Sequence, residues 1–164
     1  MMTPRFTVLP EIKVAGLGAS FVSILSPKRT NNTVIPALWH QFVQRQDTIP
    51  HRTSTASLGL VEMLPADAAK SDPLEMFYIA AAPVSTFTGL PADLLQRTVA
   101  AGRYALFTHV GTLDRLGGTM AAIYRDWLPQ AEQKLREGPH LEWYDLRFDL
   151  TSEKSEFDIL LPVA

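Results

Sequence analysis

The sequence predicts an α+β fold in which one β-α-β-β unit is used twice, giving an antiparallel sheet with two helices on one face. Three observations predict it. The order strand, helix, strand, strand is read once between about residues 5 and 85 and again between about residues 98 and 164, so that 1–164 makes one domain. Each half carries a single amphipathic helical stripe. Short segments also correspond: Leu58-Gly59-Leu60-Val61-Glu62 lies over Leu141-Glu142-Trp143-Tyr144-Asp145, and Phe77-Tyr78-Ile79 over Phe157-Asp158-Ile159. A duplicated unit of this kind pairs its sheets about a pseudo-two-fold axis. Ligands favour the interface between such repeats.

The first unit opens with an extended stretch from Phe6 to Val22, in which Gly16 and Gly18 predict a bulge or bend. Asn31-Asn32-Thr33 supplies N-cap candidates, and Pro36 fits the first turn of the following helix. Ile35, Leu38, Trp39 and Phe42 fall at i, i+3, i+4 and i+7, which defines the buried stripe of that helix. A polar loop from Asp47 to Ala56 leads to a strand at Leu58–Met63. The stretch from Pro65 to Pro73 then turns the chain into a returning strand at Met76–Ala82.

The second unit opens with a strand at Arg103–Val110, broken by Gly111-Thr112, which caps a helix. Leu113, Leu116, Met120, Ile123, Tyr124 and Trp127 form its apolar stripe, ending at Pro129. Gly138-Pro139 marks a turn into a strand from His140 to Phe148. Glu153-Lys154-Ser155 turns the chain into a last strand, Phe157–Val163. That strand can pair with a second copy if it lies at a sheet edge.

Composition excludes several function classes. Of the 164 residues 46% are hydrophobic and 20% charged, as in an ordinary globular protein, and the net charge is −2. No basic run exceeds Lys28-Arg29, so nucleic acid is not an expected partner, because a phosphate backbone needs clustered positive charge. The absence of cysteine removes disulfides, thiolate nucleophiles and zinc–thiolate sites. No apolar run approaches the roughly 20 residues that span a bilayer, and the N-terminus lacks a signal-peptide core, so a cytoplasmic protein is expected. His40, His51, His109 and His140 show no metal-ligand spacing, no dinucleotide or phosphate-loop glycine pattern is complete, and no Gly-x-Ser-x-Gly elbow is present. Neither a metal nor a cofactor is expected.

One residue interrupts this ordinary pattern. Alternation along the strand at 140–148 puts Glu142, Tyr144 and Leu146 on one face, and Leu141, Trp143 and Asp145 on the other. A glutamate on a strand is more often solvated than buried. If its face is the concave one, Glu142 becomes a lone negative charge among bulky apolar groups. A carboxylate removed from water needs a partner or a proton, and aromatic faces attract cations by about 0.5–2 kcal/mol each. That combination suits a flat organic cation.

Four segments together carry a resemblance: Val99-Ala-Ala-Gly-Arg-Tyr-Ala-Leu-Phe-Thr-His-Val-Gly111, Ile123-Tyr-Arg-Asp-Trp-Leu-Pro129, Gly138-Pro-His-Leu-Glu-Trp-Tyr144 and Asp158-Ile-Leu-Leu-Pro162. With Ile35-Pro-Ala-Leu-Trp39, Leu58-Gly59 and Phe77-Tyr78 from the first half, they resemble the GyrI-like, AraC-type effector-binding (multidrug-binding) domain family. The resemblance covers essentially the whole chain. It implies a central ligand cleft that binds hydrophobic, often cationic molecules, with the acidic residue at Glu142 and pocket aromatics at Trp39, Tyr104, Tyr144 and Tyr78. Ala100 departs from the proline that many relatives carry there, and no segment of this sequence is expected to be a DNA-binding domain.

Three functions follow. The first is a sensor or sink for hydrophobic cations, with a transcription factor or a homodimer partner as its context. The second is a GyrI-like hydrolase of electrophilic toxins, in which Glu142 beside Tyr144 acts as a base. The third is a gyrase-inhibitor-like module that docks on another protein.

Overall fold

In the computed structural model, which describes residues 2–164, eight strands form one antiparallel sheet. They are β1 (Arg5–Leu9), β2 (Ile12–Val22), β3 (Ser57–Met63), β4 (Glu75–Val84), β5 (Leu95–Val99), β6 (Gly102–Val110), β7 (His140–Tyr144) and β8 (Glu156–Val163). Helix α1 is Asn31–Arg45, and α2 is Leu116–Ala121, continued by a π-helical segment at Ala122–Trp127. The order β2-α1-β3-β4 is repeated as β6-α2-β7-β8, so the duplicated unit expected from the sequence is present. Among the described residues no helix is long and apolar enough to cross a membrane.

The strand order is β1-β6-β8-β7-β3-β4-β2-β5. The two units meet at β3 and β7, where Gly59 is the direct partner of Glu142. Neighbouring pairs run symmetrically outward from it, Leu58↔Trp143 on one side and Leu60↔Leu141 on the other. The pseudo-two-fold axis therefore passes through the Gly59–Glu142 pair. Following the register outward, Gly59↔Ala80 matches Glu142↔Ile159, which makes Tyr78 the counterpart of Phe157. The sequence correspondence of Phe77-Tyr78-Ile79 with Phe157-Asp158-Ile159 is thus one residue out of step.

Each unit lends a strand to the other. The stretch expected as one extended segment from Phe6 breaks at Pro10-Glu11. β1 then pairs with β6 of the second unit, while β5, between the units, pairs with β2 of the first. Three Cα–Cα steps, through Pro10 and Glu11, join Leu9 to Ile12, a reach of about 11 Å at most. In a flat sheet their strands would stand six spacings apart, roughly 29 Å. The sheet must curl until its ends approach. No bulge does this, since the β2–β4 register runs unbroken from Lys13 to Val22 through Gly16 and Gly18. β8, which the sequence allows as an edge, is interior between β6 and β7; the edges are β1 and β5.

The curl encloses one apolar cluster to which all eight strands contribute, including Leu9, Val14, Leu60, Ile79, Leu95, Tyr104, Leu141 and Leu160. The outer face carries two further clusters, one beneath each helix. Leu38 and Phe42 of α1 are buried against Ala15, Phe21, Tyr78 and Ala80, as the helical stripe requires. Ile123 and Trp127 are buried against Phe107, Phe157, Ile159 and Leu161. Burial at about 25 cal/mol per Å² of apolar surface holds both helices on this one face. Their N-terminal details differ from expectation: Thr30 precedes α1, its hydroxyl accepts a bond from the Val22 N–H, and Pro36 falls inside the helix.

Candidate functional site

Between the two helices, the outer face of β7 and β3 brings together side chains from both units. Alternation along β7 puts His140, Glu142 and Tyr144 here, as partners of Val61, Gly59 and Ser57. The expected strand to Phe148 stops at Tyr144; Leu146 lies in the following turn and is 95% exposed, so it shares no face with the others. The Glu142 face is not the inside of the curl. It is the helix-bearing face, and helices supply much of its aromatic lining.

The Glu142 carboxylate is 6% exposed. The Tyr144 hydroxyl donates to its Oε2 at 2.6 Å. Tyr78 reaches it from β4 across the axis, because Gly59 has no side chain: a Cβ there would collide with the Tyr78 hydroxyl and ring. The Trp39 indole N–H, from α1, donates to the same Tyr78 hydroxyl at 3.0 Å. The rings interlock edge to face, Trp39 with Tyr144 at 5.4 Å and Trp39 with Tyr78 at 6.3 Å. Tyr144 in turn stacks on Phe157, with centroids 4.7 Å apart. Such pairs contribute about 0.5–1.5 kcal/mol each beyond area burial.

The charges respond to this enclosure. Burial pushes the Glu142 carboxyl above the ordinary carboxylate range, and the hydroxyls of Tyr144 and Tyr78 only partly oppose the shift. The Tyr78 and Tyr144 phenols are pushed well up, by burial first and by the Glu142 charge second, so both remain donors. Among the described residues no lysine, arginine or histidine forms an ion pair with Glu142.

The structure adds two residues that the sequence reading did not single out. His140 lies two positions before Glu142 on the same face of β7. Its Nδ1 is 2.7 Å from the hydroxyl of Tyr124, and the rings stack at 5.6 Å and 10°. Burial lowers the His140 imidazole to about 4, and it raises the Tyr124 phenol, with the Glu142 charge adding to the rise. A neutral imidazole accepting the phenol proton at Nδ1 follows from both shifts. Tyr124 belongs to the π-helical turn, a rare geometry that recurs at functional sites. The same alternation that exposed Glu142 contains the signal for His140.

Of the five aromatic and acidic residues expected in the pocket, Glu142, Tyr144, Trp39 and Tyr78 are brought together, and Tyr104 is not. Tyr104 is three residues from Phe107 on β6, so it points to the inside of the curl. There its ring lies under the Arg136 guanidinium at 4.7 Å, and its hydroxyl donates to the Ala100 carbonyl at 3.3 Å. Trp143 also faces inward, and Trp127 packs on Phe107 at 5.0 Å. His109, 1% exposed, is held within 2.8 Å of the Thr119 hydroxyl and serves the packing of α2. Among the described residues no group of three His, Asp or Glu side chains is arranged to hold a metal ion.

A family model described as the GyrI-like small molecule binding domain matches residues 2–164. The chain belongs to that family. The GyrI-like fold is shared with solved structures despite low identity. The chain superposes on the structure of SAV2435 bound to tetraphenylphosphonium with a TM-score of 0.77, at 20% identity, covering 99% of this chain and 94% of that one. It superposes on the EcmrR C-terminal domain with a TM-score of 0.68, at 15% identity, covering 100% and 98%. In sequence it is 28% identical over 131 residues to the transcriptional regulator BrlR of Pseudomonas aeruginosa, covering 79% of this chain and 46% of BrlR. It is 41% identical over 64 residues to the probable transcriptional regulator YgiV of Escherichia coli strain K12, covering 38% of this chain and 40% of YgiV. The alignments thus take in less than half the length of either regulator. The GyrI-like chain is a small-molecule binding domain of α+β architecture related to transcription regulators.

Proposed function

We propose that this domain, with units at about 5–85 and 98–164, binds a hydrophobic aromatic cation over Glu142, among Trp39, Tyr78, Tyr144, Tyr124 and His140. One observation carries the reading: Glu142 is a buried carboxylate held by neutral hydroxyls, and among the described residues no cation forms an ion pair with it. A desolvated charge without a counter-ion is costly, and a cation entering from outside would remove that cost. The surrounding ring faces and edges add apolar contact with little directional demand, so flat cations of varied outline fit. The tetraphenylphosphonium held by SAV2435, on the same fold, is a hydrophobic aromatic cation, tetrahedral and not flat, and supports the charge and aromatic parts of the reading.

The domain acts as a sensor or sink. Its likeness to BrlR and YgiV supports a role in reporting the ligand to transcription in the cytoplasm, through a transcription factor partner or a dimer of this chain. A second reading, hydrolysis of an electrophilic ligand, is favoured by the Tyr144–Glu142 contact at 2.6 Å, in which a carboxyl of raised basicity can take a proton from water. Its signature is turnover that Glu142→Gln abolishes.

The binding reading is tested by tryptophan fluorescence, because Trp39 sits at the site. Aromatic monocations should give saturable changes. Neutral molecules of the same outline should bind at least tenfold more weakly, and anions not at all. Equal affinity for a cation and its neutral counterpart would contradict it.

A further inference from the structure

The pseudo-two-fold axis also relates two sockets inside the corners of the curl, and only one is filled. In the second unit, the Arg136 N–H donates to the Pro162 carbonyl at 3.1 Å. Its guanidinium lies over the Tyr104 ring and against Gly102, where a Cβ would come within 2.7 Å of Nη2. Arg136 Nε and Nη2 are buried without a hydrogen-bond partner, so ring and shape, not polar contacts, hold the group there. In the first unit, the Thr53 N–H donates to the Pro83 carbonyl at the same distance, 3.1 Å. The strand registers make Pro83 the counterpart of Pro162, Ile12 of Gly102 and Val14 of Tyr104. Thr53 therefore stands where Arg136 stands, with a side chain too short to fill the socket.

What remains is a cavity of about 420 Å³ whose lining includes Glu11, Ile12, Lys13, Thr53, Pro83 and Trp143. Trp143 takes the place of Leu60 across the axis, so this socket has its own aromatic wall. Glu11 replaces Ala101 and brings a carboxylate that, among the described residues, forms no ion pair. In the open socket Ile12 fills the space that Gly102 leaves, and Val14 replaces the Tyr104 ring. A guanidinium there would lie against Trp143 instead, where Glu11 adds a counter-charge that the filled socket lacks.

We propose that the Leu9–Ile12 corner is a second binding site, separate from the Glu142 site, that takes a guanidinium group from another molecule between Trp143 and Glu11. The group can come from a free small guanidinium compound or from an arginine of a peptide. The proposal does not depend on the identity of the ligand bound over Glu142.

The test follows the Trp143 indole N–H by two-dimensional NMR during titration with N-acetyl-arginine amide, a Gly-Arg-Gly peptide with blocked ends, and N-acetyl-lysine amide. The arginine probes should shift Trp143 saturably, with at least tenfold weaker binding of the lysine probe and of either arginine probe to Glu11→Gln. Thr53→Arg, which supplies the missing side chain, should abolish the shift and leave the spectrum otherwise folded. Tighter binding of the tripeptide identifies a peptide source, and equal binding a free compound. No shift of Trp143, equal response to lysine, or arginine binding unchanged in both Glu11→Gln and Thr53→Arg would overturn the proposal.

Discussion

Gly59 and Glu142 face each other across β3 and β7 on the axis that exchanges the two halves of the molecule. A duplicated fold would place two like residues there. Instead one half supplies a charge, and the other supplies space into which Tyr78 reaches toward that charge. The site is singly charged because of this difference, although the scaffold around it is doubled.

The empty side of the pair is as demanding as the charged side. Gly59→Ala would drive a methyl group into the Tyr78 ring and push its hydroxyl from Trp39 and Glu142. Overpacking of this kind costs about 1–3 kcal/mol. At about 2–4 °C per kcal/mol for a chain of this size, the melting temperature should fall by several degrees. The Trp39 emission should also shift, which a change remote from the site would not produce.

Removing the charge should stabilise the unliganded protein. The folded-state Glu142 carboxyl titrates above its ordinary value, so it binds its proton more tightly folded than unfolded. Its contribution to stability is full below about pH 4.5 and is lost as pH rises through the folded value. Glu142→Gln should therefore melt a few degrees above the parent protein at pH 7, and the gap should close below about pH 4.5. Thermal melts of both proteins across that range check the sign.

His140 works in the opposite sense. Its folded value of about 4 lies below the ordinary 6.5, so its stabilising contribution is full above 6.5 and is lost as pH falls from 6.5 toward 4. The shift corresponds to about 3 kcal/mol at the upper limit. His140→Gln, which cannot gain this proton, should lose less stability over that interval than the parent protein. Denaturant melts at pH 7 and pH 5 measure the difference.

Much of this arrangement was legible in the sequence, and the illegible parts have specific physical reasons. The i, i+3, i+4 stripes of Ile35 to Phe42 and of Leu116 to Trp127 mark helices because each buries one face. Glu142 and Tyr144 were legible by alternation, and His140 obeys the same alternation but sits at the first position of β7, next to a turn. β5, Leu-Gln-Arg-Thr-Val, shows too little apolar character to be read as a strand, because much of its length is exposed at a sheet edge. The exchange of β1 and β5 between units leaves no local trace, since it is a long-range pairing. The family resemblance implies Tyr104 as a pocket aromatic, whereas its odd spacing from Phe107 turns it inward. Pro10 shows a related effect: it is the counterpart of Ala100, so the corner proline absent from the second unit is present in the first.

The central claim is that the buried Glu142 carboxylate, held by hydroxyls, receives a cation. It is tested most directly by calorimetric titration of the parent protein and Glu142→Gln with tetraphenylphosphonium at pH 7. The account predicts saturable binding that weakens at least tenfold in the variant, about 1.4 kcal/mol. Tetraphenylphosphonium affinity unchanged in the variant would contradict it.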